Sequence, residues 1–313
     1  VAEVTFPGVY ESPAFMDVAW SDDPNVAAKA RRDVIMHAPL TLEITTDGGF
    51  GLSLEGANAW GWHSFNSTPA TMQGGMWVLL TQSLIPNGKV NDGAYFATSF
   101  RLPLGAWCNP DYEKVSTTFS WHFMTPSLTG MVRGLSRAFF ARGYLEEVSA
   151  SYPTVGNITM GGGVDHYGNE SAYTSFEHSS QGTGAMFMKD GEGFTAAQWN
   201  PEGDMGEIES WERLEPLLYL GRAVKAMTAG AGRQRGGSGF ESLRMLYRTA
   251  RQVLFNGGQD GFVFMSAGIF GGYPGNAGHR HNLHGTNMPE VIAQQLPYST
   301  REGDPDDPEL ERV

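Results

Sequence analysis

The sequence is poor in cysteine, in basic side chains and in long apolar runs, and each shortage excludes a class of protein. Cys108 is the single cysteine, which excludes a disulfide framework and leads us to expect a reducing compartment, the cytoplasm by default. Lys and Arg total 21 against 34 Asp and Glu, and the resulting net charge of −13 argues against a nucleic acid or an anionic membrane as partner. No apolar run has the length of a membrane span, and the opening VAEVTFPGVYESPAF lacks the basic and apolar regions of a signal peptide.

Glycine is abundant, at 41 of 313 residues, and is accompanied by 17 prolines and 12% aromatic residues. Hydrophobic residues make up 41% and charged residues 18%, a balance typical of a globular chain. This composition favours many turns and an all-β or α+β architecture. With the helix patterns described below, we predict an α+β fold that has a mixed or antiparallel β-rich core, a few packed helices and long glycine-rich loops. We divide the chain into a hairpin-plus-helices region, residues 1–148, and a glycine-rich β region, residues 149–313, with one continuous domain as the alternative.

Two local patterns define the start of the first region. Residues 41–46 and 50–54 alternate in polarity on either side of Asp47-Gly48-Gly49, which predicts a β-hairpin. The motif Asn66-Ser67-Thr68-Pro69-Ala70 offers capping hydroxyls and a first-turn proline to a helix that we expect to end near Leu84.

A second helix is predicted from Thr125-Pro126-Ser127 to a C-terminal glycine, Gly143. Residues 149–168, which include Gly161-Gly162-Gly163, have the composition of a loop. Residues 173–177 have a strand pattern, and so do residues 243–248.

Two isolated side chains invite a functional interpretation. His63 lies among tryptophans just before the first helix and can line a site, although a lone histidine among aromatic residues is more often structural. Cys108 has no partner motif, so we expect a buried, inert thiol rather than a nucleophile.

The densest glycine run is residues 228–239, TAGAGRQRGGSG, which hold five glycines and two arginines between two strand-like segments. Arg233 and Arg235, next to freed backbone N–H groups, form a candidate anion-binding nest for a carboxylate or phosphate. In the structural alternative the glycines allow a tight crossover and the arginines pair with acidic neighbours. Those neighbours would be Glu207, Glu209 or Glu212.

Three histidines, His279, His281 and His284, fall within six residues after a glycine-rich turn. This spacing can supply two or three metal ligands from one loop, but no acidic fourth ligand lies nearby. Metal binding, structural or anion contact, and acid–base chemistry all remain open for these side chains.

Five motifs occur in the order that is found in the later part of hydantoinase B/oxoprolinase proteins, so the chain resembles that family over most of its length. They are the Asp-Gly hairpin leading to NSTPA at 66–70, LIPNG at 84–88, the segment from Phe176-Glu177 to Gly184-Ala185, Arg235-Gly236-Gly237, and GIFGGYPG at 268–275. The later segment GHRHNLHGTN makes the chain more similar to the ketone carboxylase branch, the acetone and acetophenone carboxylases, than to the hydantoinases.

The resemblance implies a cytoplasmic hetero-oligomeric ligase of ketone degradation. Its hydantoinase A-type subunit uses ATP to activate bicarbonate and the ketone, and a subunit of the present type joins carbon dioxide to the enolate, in some members with manganese or zinc. ATP would then bind a partner subunit, and no cofactor is assigned to this chain. We expect catalytic contacts from Arg233, Arg235, His279 and His281, and metal contacts from His279, His281 and His284.

The first half of such subunits, with its metal-binding His-His-Ala-Asp-type segment, has no counterpart in this sequence. Another chain then supplies that half, or this chain is an accessory subunit. Two further hypotheses stay open: a subunit of an ATP-dependent hydantoinase or 5-oxoprolinase-type amidohydrolase, and a non-catalytic scaffold that docks the catalytic subunits.

Overall fold

The computed structural model describes residues 1–18, 24–25, 27–30, 34–84, 88, 91–118, 120–152, 157–177, 181–193, 195, 206–249, 252–258, 267–278, 283 and 285–296. Its strands are β1 (Gly8–Ser12), β2 (Phe15–Val18), β3 (Val34–His37), β4 (Leu40–Ile44), β5 (Phe50–Ser53), β6 (Thr98–Arg101), β7 (Asn157–Val164), β8 (Glu170–Glu177), β9 (Leu217–Lys225), β10 (Gly239–Leu246) and β11 (Gln252–Gly258). Its α-helices are α1 (Pro69–Leu84), α2 (Trp121–Arg142), α3 (Ile208–Leu214) and α4 (Met288–Ala293). Short 3₁₀ turns lie at Ala28–Ala30, Asp92–Ala97 and Leu145–Glu147.

The strands form several small sheets rather than one large sheet. The first has four strands in the order β1-β4-β5-β6, in which only the β5–β6 pair is parallel. β2 and β3 form an antiparallel pair, β11-β7-β8 form an antiparallel three-stranded sheet, and β9 and β10 form a second antiparallel pair. The predicted α+β class, with a mostly antiparallel β structure and few helices, is confirmed.

The predicted hairpin is the β4–β5 pair, in which Ile44 lies opposite Phe50. Gly48 makes the turn with φ of +89°, a conformation that glycine adopts without strain. Alternation along β4 places Leu40, Leu42 and Ile44 in the core. The sequence pattern therefore identified both the strands and the turn.

The main hydrophobic core lies between the four-stranded sheet and the helices α1 and α2. Helical spacing in the sequence predicts a core-facing side of α1 made by Met72, Met76, Leu79, Leu80 and Leu84. The first four are buried and Leu84 is partly buried, while Trp77, which the spacing does not predict, is buried as well. Trp107 and Cys108 belong to the same core and are fully buried. The core members contributed by the sheet and the two helices include Leu40, Leu42, Leu52, Met72, Met76, Leu79, Leu80, Leu128, Met131 and Leu135.

Helix α2 begins at Trp121, one turn before the predicted start, so Pro126 lies inside the helix. Proline lacks a backbone N–H, but close to the N-terminus of a helix this costs only one hydrogen bond of the ladder. The predicted end is confirmed, because Gly143 has φ of +95° and its N–H bonds to the carbonyls of Phe139 and Phe140.

Two glycines let α2 approach the sheet closely. A Cβ atom at Gly130 would lie 3.1 Å from the Leu40 Cβ, and one at Gly134 would lie 3.1 Å from the Leu42 Cδ2. On the flank of the same helix, arginine side chains donate to backbone carbonyls of the N-terminal segment. The pairs are Arg133 to Pro13 at 3.1 Å, Arg137 to Glu11 at 2.7 Å and Arg142 to Glu3 at 3.2 Å.

The prediction of a loop over residues 149–168 is wrong for the part that forms β7. The three glycines that suggested a loop lie inside this strand, where Gly161 is paired with Tyr173 of β8. A Cβ atom at Gly161 would lie 2.2 Å from the Tyr173 ring. Glycine is therefore needed here to make room for an aromatic ring on the neighbouring strand, and not to make a turn.

We predict that Gly134→Leu destabilises the protein by about 1–3 kcal/mol, because the new side chain overpacks the α2–sheet contact. Gly74→Leu is the matched control, since Gly74 is exposed in α1 and a Cβ atom there meets nothing within 4 Å. The control should be neutral or more stable by up to about 1 kcal/mol through helix propensity. Urea unfolding followed by far-UV circular dichroism measures both changes, and equal stability of the two variants would contradict the packing argument.

Candidate functional site

The glycine run singled out in the sequence connects β9 to β10, as the strand patterns on either side predicted. Lys225 and Gly239 are paired at the base of the connection. The Thr228 hydroxyl donates to the Lys225 carbonyl at 2.9 Å and accepts from the Gly239 N–H at 2.7 Å. One threonine side chain thus closes the base of a long loop.

This loop lies between two other glycine-rich segments, and we call residues 181–193, 226–239 and 267–278 together the glycine junction. Towards the first segment, the Gly237 N–H donates to the Thr183 carbonyl at 2.8 Å and the Gly191 N–H donates to the Arg235 carbonyl at 2.7 Å. Towards the third, the Tyr273 N–H donates to the Ala231 carbonyl at 2.8 Å. Main-chain hydrogen bonds therefore hold the central loop on both sides.

Close backbone contact explains the glycine content of the junction. A Cβ atom at Gly237 would lie 2.0 Å from the Glu192 carbonyl oxygen, and one at Gly230 would lie 2.4 Å from the Tyr273 carbonyl oxygen. Neither neighbour is a flexible side chain that could move aside. The tight-crossover interpretation of the glycines thus agrees with their surroundings.

Arg233 and Arg235 both lie exposed on this loop. The backbone of Arg235 is fixed, because its N–H donates to the Asp190 carboxylate at 2.8 Å. Within the described part of the chain, neither guanidinium forms an ion pair with Glu207, Glu209 or Glu212. The Glu212 carboxylate instead accepts from the backbone N–H of Tyr219 at 2.8 Å.

Sequence reasoning missed the polar side chains that hold the junction together. The Thr183 hydroxyl accepts from the Glu192 N–H at 2.7 Å, while the Thr183 backbone bonds to both Glu192 and Gly237. The Lys189 ammonium lies 2.6 Å from the Glu192 carboxylate. The flanking glycines in Gly182-Thr183-Gly184 were the available signal, since they mark a threonine whose backbone is closely approached.

The three clustered histidines, His279, His281 and His284, lie outside the described residues. The third segment of the junction leads to them, and its Asn276 N–H donates to the Thr228 carbonyl at 3.0 Å. Elsewhere in the described part of the chain, no group of three or more His, Cys, Asp or Glu side chains is arranged to hold a metal ion. We therefore assign no described residue to a metal.

Burial suppresses the ionisation of Tyr173 and of Cys108. Burial raises the pKa of Tyr173 to about 12, the Glu215 carboxylate contributes to the rise, and the Arg244 guanidinium opposes it. Burial likewise raises the pKa of the Cys108 thiol to about 12, and this side chain is fully buried, as we expected of an inert thiol. Neither group is a nucleophile near neutral pH.

Comparison with known proteins places the whole described fold in one family, because the family model for hydantoinase B/oxoprolinase matches residues 8–304. The chain belongs to the hydantoinase B/oxoprolinase family. It is 44% identical over 312 residues to the acetone carboxylase alpha subunit of Xanthobacter autotrophicus (strain ATCC BAA-1158 / Py2). That alignment covers 98% of this chain and 40% of the relative.

Solved structures agree with this assignment. The chain matches nucleotide-free acetone carboxylase, solved in work on the mechanism of ATP-dependent acetone carboxylation, with a TM-score of 0.88 and 43% identity over 96% of this chain and 39% of that chain. The ATP-dependent caprolactamase from Pseudomonas jessenii matches with a TM-score of 0.59 over 78% of this chain and 40% of that chain. At 21% identity, the second match shows a shared fold alone. This chain spans about two fifths of the length of these relatives.

Among the described helices, none is long and apolar enough to cross a membrane.

We predict that Gly237→Ala opens the glycine junction, because the added methyl group would overlap the Glu192 carbonyl. The Gly191 amide should then exchange with deuterium about tenfold or more faster, since its bond to Arg235 belongs to the same contact. Gly193→Ala is the matched control, because a Cβ atom there would lie 3.6 Å from its nearest neighbour, the Ser238 carbonyl oxygen. Equal exchange rates in both variants would show that the junction adapts to a side chain at this point.

Proposed function

We propose that this chain is part of a subunit of a multi-subunit, ATP-dependent ketone carboxylase that joins bicarbonate-derived carbon dioxide to a ketone enolate. The observation that carries the proposal is the 44% identity to an acetone carboxylase alpha subunit over 98% of this chain. The TM-score of 0.88 to acetone carboxylase supports it, because the same backbone carries the matching residues. The likeness to the caprolactamase is confined to the fold and gives the amidohydrolase alternative no comparable support.

The carbon–carbon bond-forming step sets clear physical requirements. The enolate carbon bonds to the carbon of carbon dioxide, and the negative charge moves from the enolate oxygen to the new carboxylate. Cationic or N–H donor groups must stabilise that charge in a site from which water is excluded. Arg233 and Arg235 are our candidates for this contact, because they project from a loop whose backbone is fixed on both sides.

The exposure of both arginines means that another part of the assembly must cover them to exclude water. Large apolar side chains on the glycine junction support such a covering: Met188 is 72% exposed, Met227 94% and Tyr273 72%. We propose that the rest of the longer subunit and a hydantoinase A-type partner, which uses ATP to activate bicarbonate and the ketone, cover this face. The exposed side chains would then become interface rather than surface.

His279, His281 and His284 are the candidates for holding manganese or zinc, or for direct contact with the substrate, in this proposal. They follow immediately on the segment whose Tyr273 and Asn276 are bonded to the arginine loop. A metal ion, when bound, would supply Lewis-acid stabilisation of the enolate oxygen. The two arginines would act on the carboxylate end of the same reacting species.

Replacing both arginines in the assembled carboxylase tests the assignment. We expect Arg233→Ala combined with Arg235→Ala to lower kcat/KM for acetone carboxylation by about 100-fold or more, since charge stabilisation in the transition state is lost. The corresponding double lysine variant should recover part of the activity. Arg213→Ala, at an exposed position of α3, is the matched control and should keep the activity.

Three results would count against the proposal. Full carboxylation by the double alanine variant in an intact complex would remove the arginines from the site. Ring opening of a lactam or hydantoin, without acetone carboxylation, would replace the carboxylase by an amidohydrolase. Normal turnover after replacement of the arginines and of His279, His281 and His284, with loss only when the chain is omitted, would make the chain a scaffold.

A further inference from the structure

The two arginines of the loop between β9 and β10 are held in different ways. The Arg235 N–H donates to the Asp190 carboxylate at 2.8 Å, and the Arg235 carbonyl accepts from the Gly191 N–H at 2.7 Å. Both main-chain polar groups of Arg235 are thus bonded to consecutive residues of one other segment. Because hydrogen bonds hold this residue at both ends, the direction in which its side chain leaves the backbone is fixed.

Arg233 lies in the middle of the same loop, on backbone that is held less firmly. The Gly236 N–H donates to the Gly230 carbonyl at 3.0 Å and closes the loop at its base. Within the described part of the chain, no main-chain hydrogen bond holds residues 232–234. The backbone that carries Arg233 can therefore adjust, whereas that of Arg235 is fixed.

The segment that supplies Asp190 is itself a braced turn. The Thr183 N–H donates to the Glu192 carbonyl at 2.8 Å, and the Thr183 hydroxyl accepts from the Glu192 N–H at 2.7 Å. The Lys189 ammonium lies 2.6 Å from the Glu192 carboxylate. A Cβ atom at Gly191 would lie 2.4 Å from the Thr183 carbonyl oxygen, so the main chain is closely packed next to Asp190. Asp190 is therefore presented from a rigid support.

The Asp190 carboxylate acts here as a hydrogen-bond acceptor and not as a counter-ion. It is exposed, and among the described residues it forms no ion pair with Arg233 or Arg235. A carboxylate that paired with either guanidinium would occupy the donors that a bound anion needs. Because this carboxylate bonds to a backbone N–H instead, both guanidinium groups keep their donors for another anion.

We infer that Asp190 is a positioning residue for Arg235 in the carboxylation step, an inference that rests on the proposed function, and that the two arginines have different roles. A cation that is fixed in advance can be placed where negative charge develops, so its contribution appears in kcat. A cation on adjustable backbone follows the anion in the ground state and the transition state alike, so its loss appears in KM. Arg235 has the first role and Arg233 the second.

Single substitutions in the assembled carboxylase test the difference between the arginines. We expect Arg235→Ala to lower kcat for acetone carboxylation by about tenfold to 100-fold, because a positioned charge is lost. Arg233→Ala should raise KM for acetone or bicarbonate and leave kcat within about threefold of the wild-type value. Steady-state kinetics with each substrate varied in turn measures both parameters.

Two variants of Asp190 separate its hydrogen bond from its charge. Asp190→Ala removes both and should lower kcat by about tenfold or more, because Arg235 is no longer held. Asp190→Asn keeps an oxygen acceptor without the negative charge and should recover most of the activity. Asp165→Ala is the matched control and should leave kcat unchanged. The Asp165 carboxylate likewise accepts from backbone N–H groups, those of Tyr167 and Asn169 at 2.9 Å, but in the turn between β7 and β8.

Hydrogen exchange of the Arg235 amide reports the contact independently of activity. In the assembled protein this amide should exchange about tenfold or more faster in Asp190→Ala than in the wild type, and close to the wild-type rate in Asp190→Asn. Mass spectrometry with electron-transfer fragmentation localises the change. A general loss of stability would instead accelerate exchange throughout β9 and β10.

The possible outcomes distinguish this inference from the proposed function. In a complex in which Arg235→Ala lowers kcat, a wild-type kcat in Asp190→Ala would overturn the inference alone. An asparagine variant as impaired as the alanine variant, an unchanged Arg235 amide in Asp190→Ala, or the same division between kcat and KM for both arginines would do so too. A wild-type complex that does not carboxylate acetone would overturn the proposed function, and this inference would fall with it.

Discussion

Direct contact between backbones at the glycine junction is the constraint on which the second region of the molecule depends. Three segments meet there with no room for a Cβ atom at Gly182, Gly230 or Gly237, and main-chain hydrogen bonds replace side-chain packing. Such a contact cannot accommodate an added side chain by a small local change, because a backbone carbonyl cannot change rotamer as a side chain can. The loop between β9 and β10 therefore presents its two arginines from a fixed base, which is what a pre-organised anion contact requires.

Two backbone hydrogen bonds connect the glycine junction to the segment that follows α2, and so to the main core. The Ala150 N–H donates to the Ala185 carbonyl at 2.8 Å, and the Phe187 N–H donates to the Val148 carbonyl at 3.0 Å. Phe270 of the third segment packs on Phe140 of α2, with ring centroids 4.6 Å apart. Helix α2 is itself seated on the first sheet through Gly130 and Gly134. Small residues thus set the spacing at both contacts, between helix and sheet and between the glycine segments.

The sequence predicted those parts of the fold in which one local rule decides the conformation. The β4–β5 hairpin followed from alternation and a glycine turn, α1 from its motif and spacing, and the end of α2 from Gly143. It failed where the partner lies far away in the sequence. The glycines of β7 suggested a loop because their reason for being there, contact with the Tyr173 ring, depends on the pairing with β8. The start of α2 was predicted too late because Pro126 was taken to mark the first turn of the helix, whereas it lies inside the helix. The hydrogen bonds of the buried Asn66 side chain were missed for the same reason, since its amide donates to the carbonyl of Ser116, which lies 50 residues further along the sequence.

The motifs by which the family was recognised are largely those that shape the backbone. Asn66 fixes two loops, Gly237 permits a close crossover, and Gly182 and Gly184 flank the threonine that bonds to it. Residues of this kind specify a fold, and a carboxylase and a caprolactamase can share that fold. Differences in reaction between proteins that share this fold must then depend on side chains that the fold positions but does not require for its own stability. Arg233 and Arg235 meet that criterion, because their backbones belong to the junction while their guanidinium groups are exposed and, among the described residues, form no ion pair that would explain them.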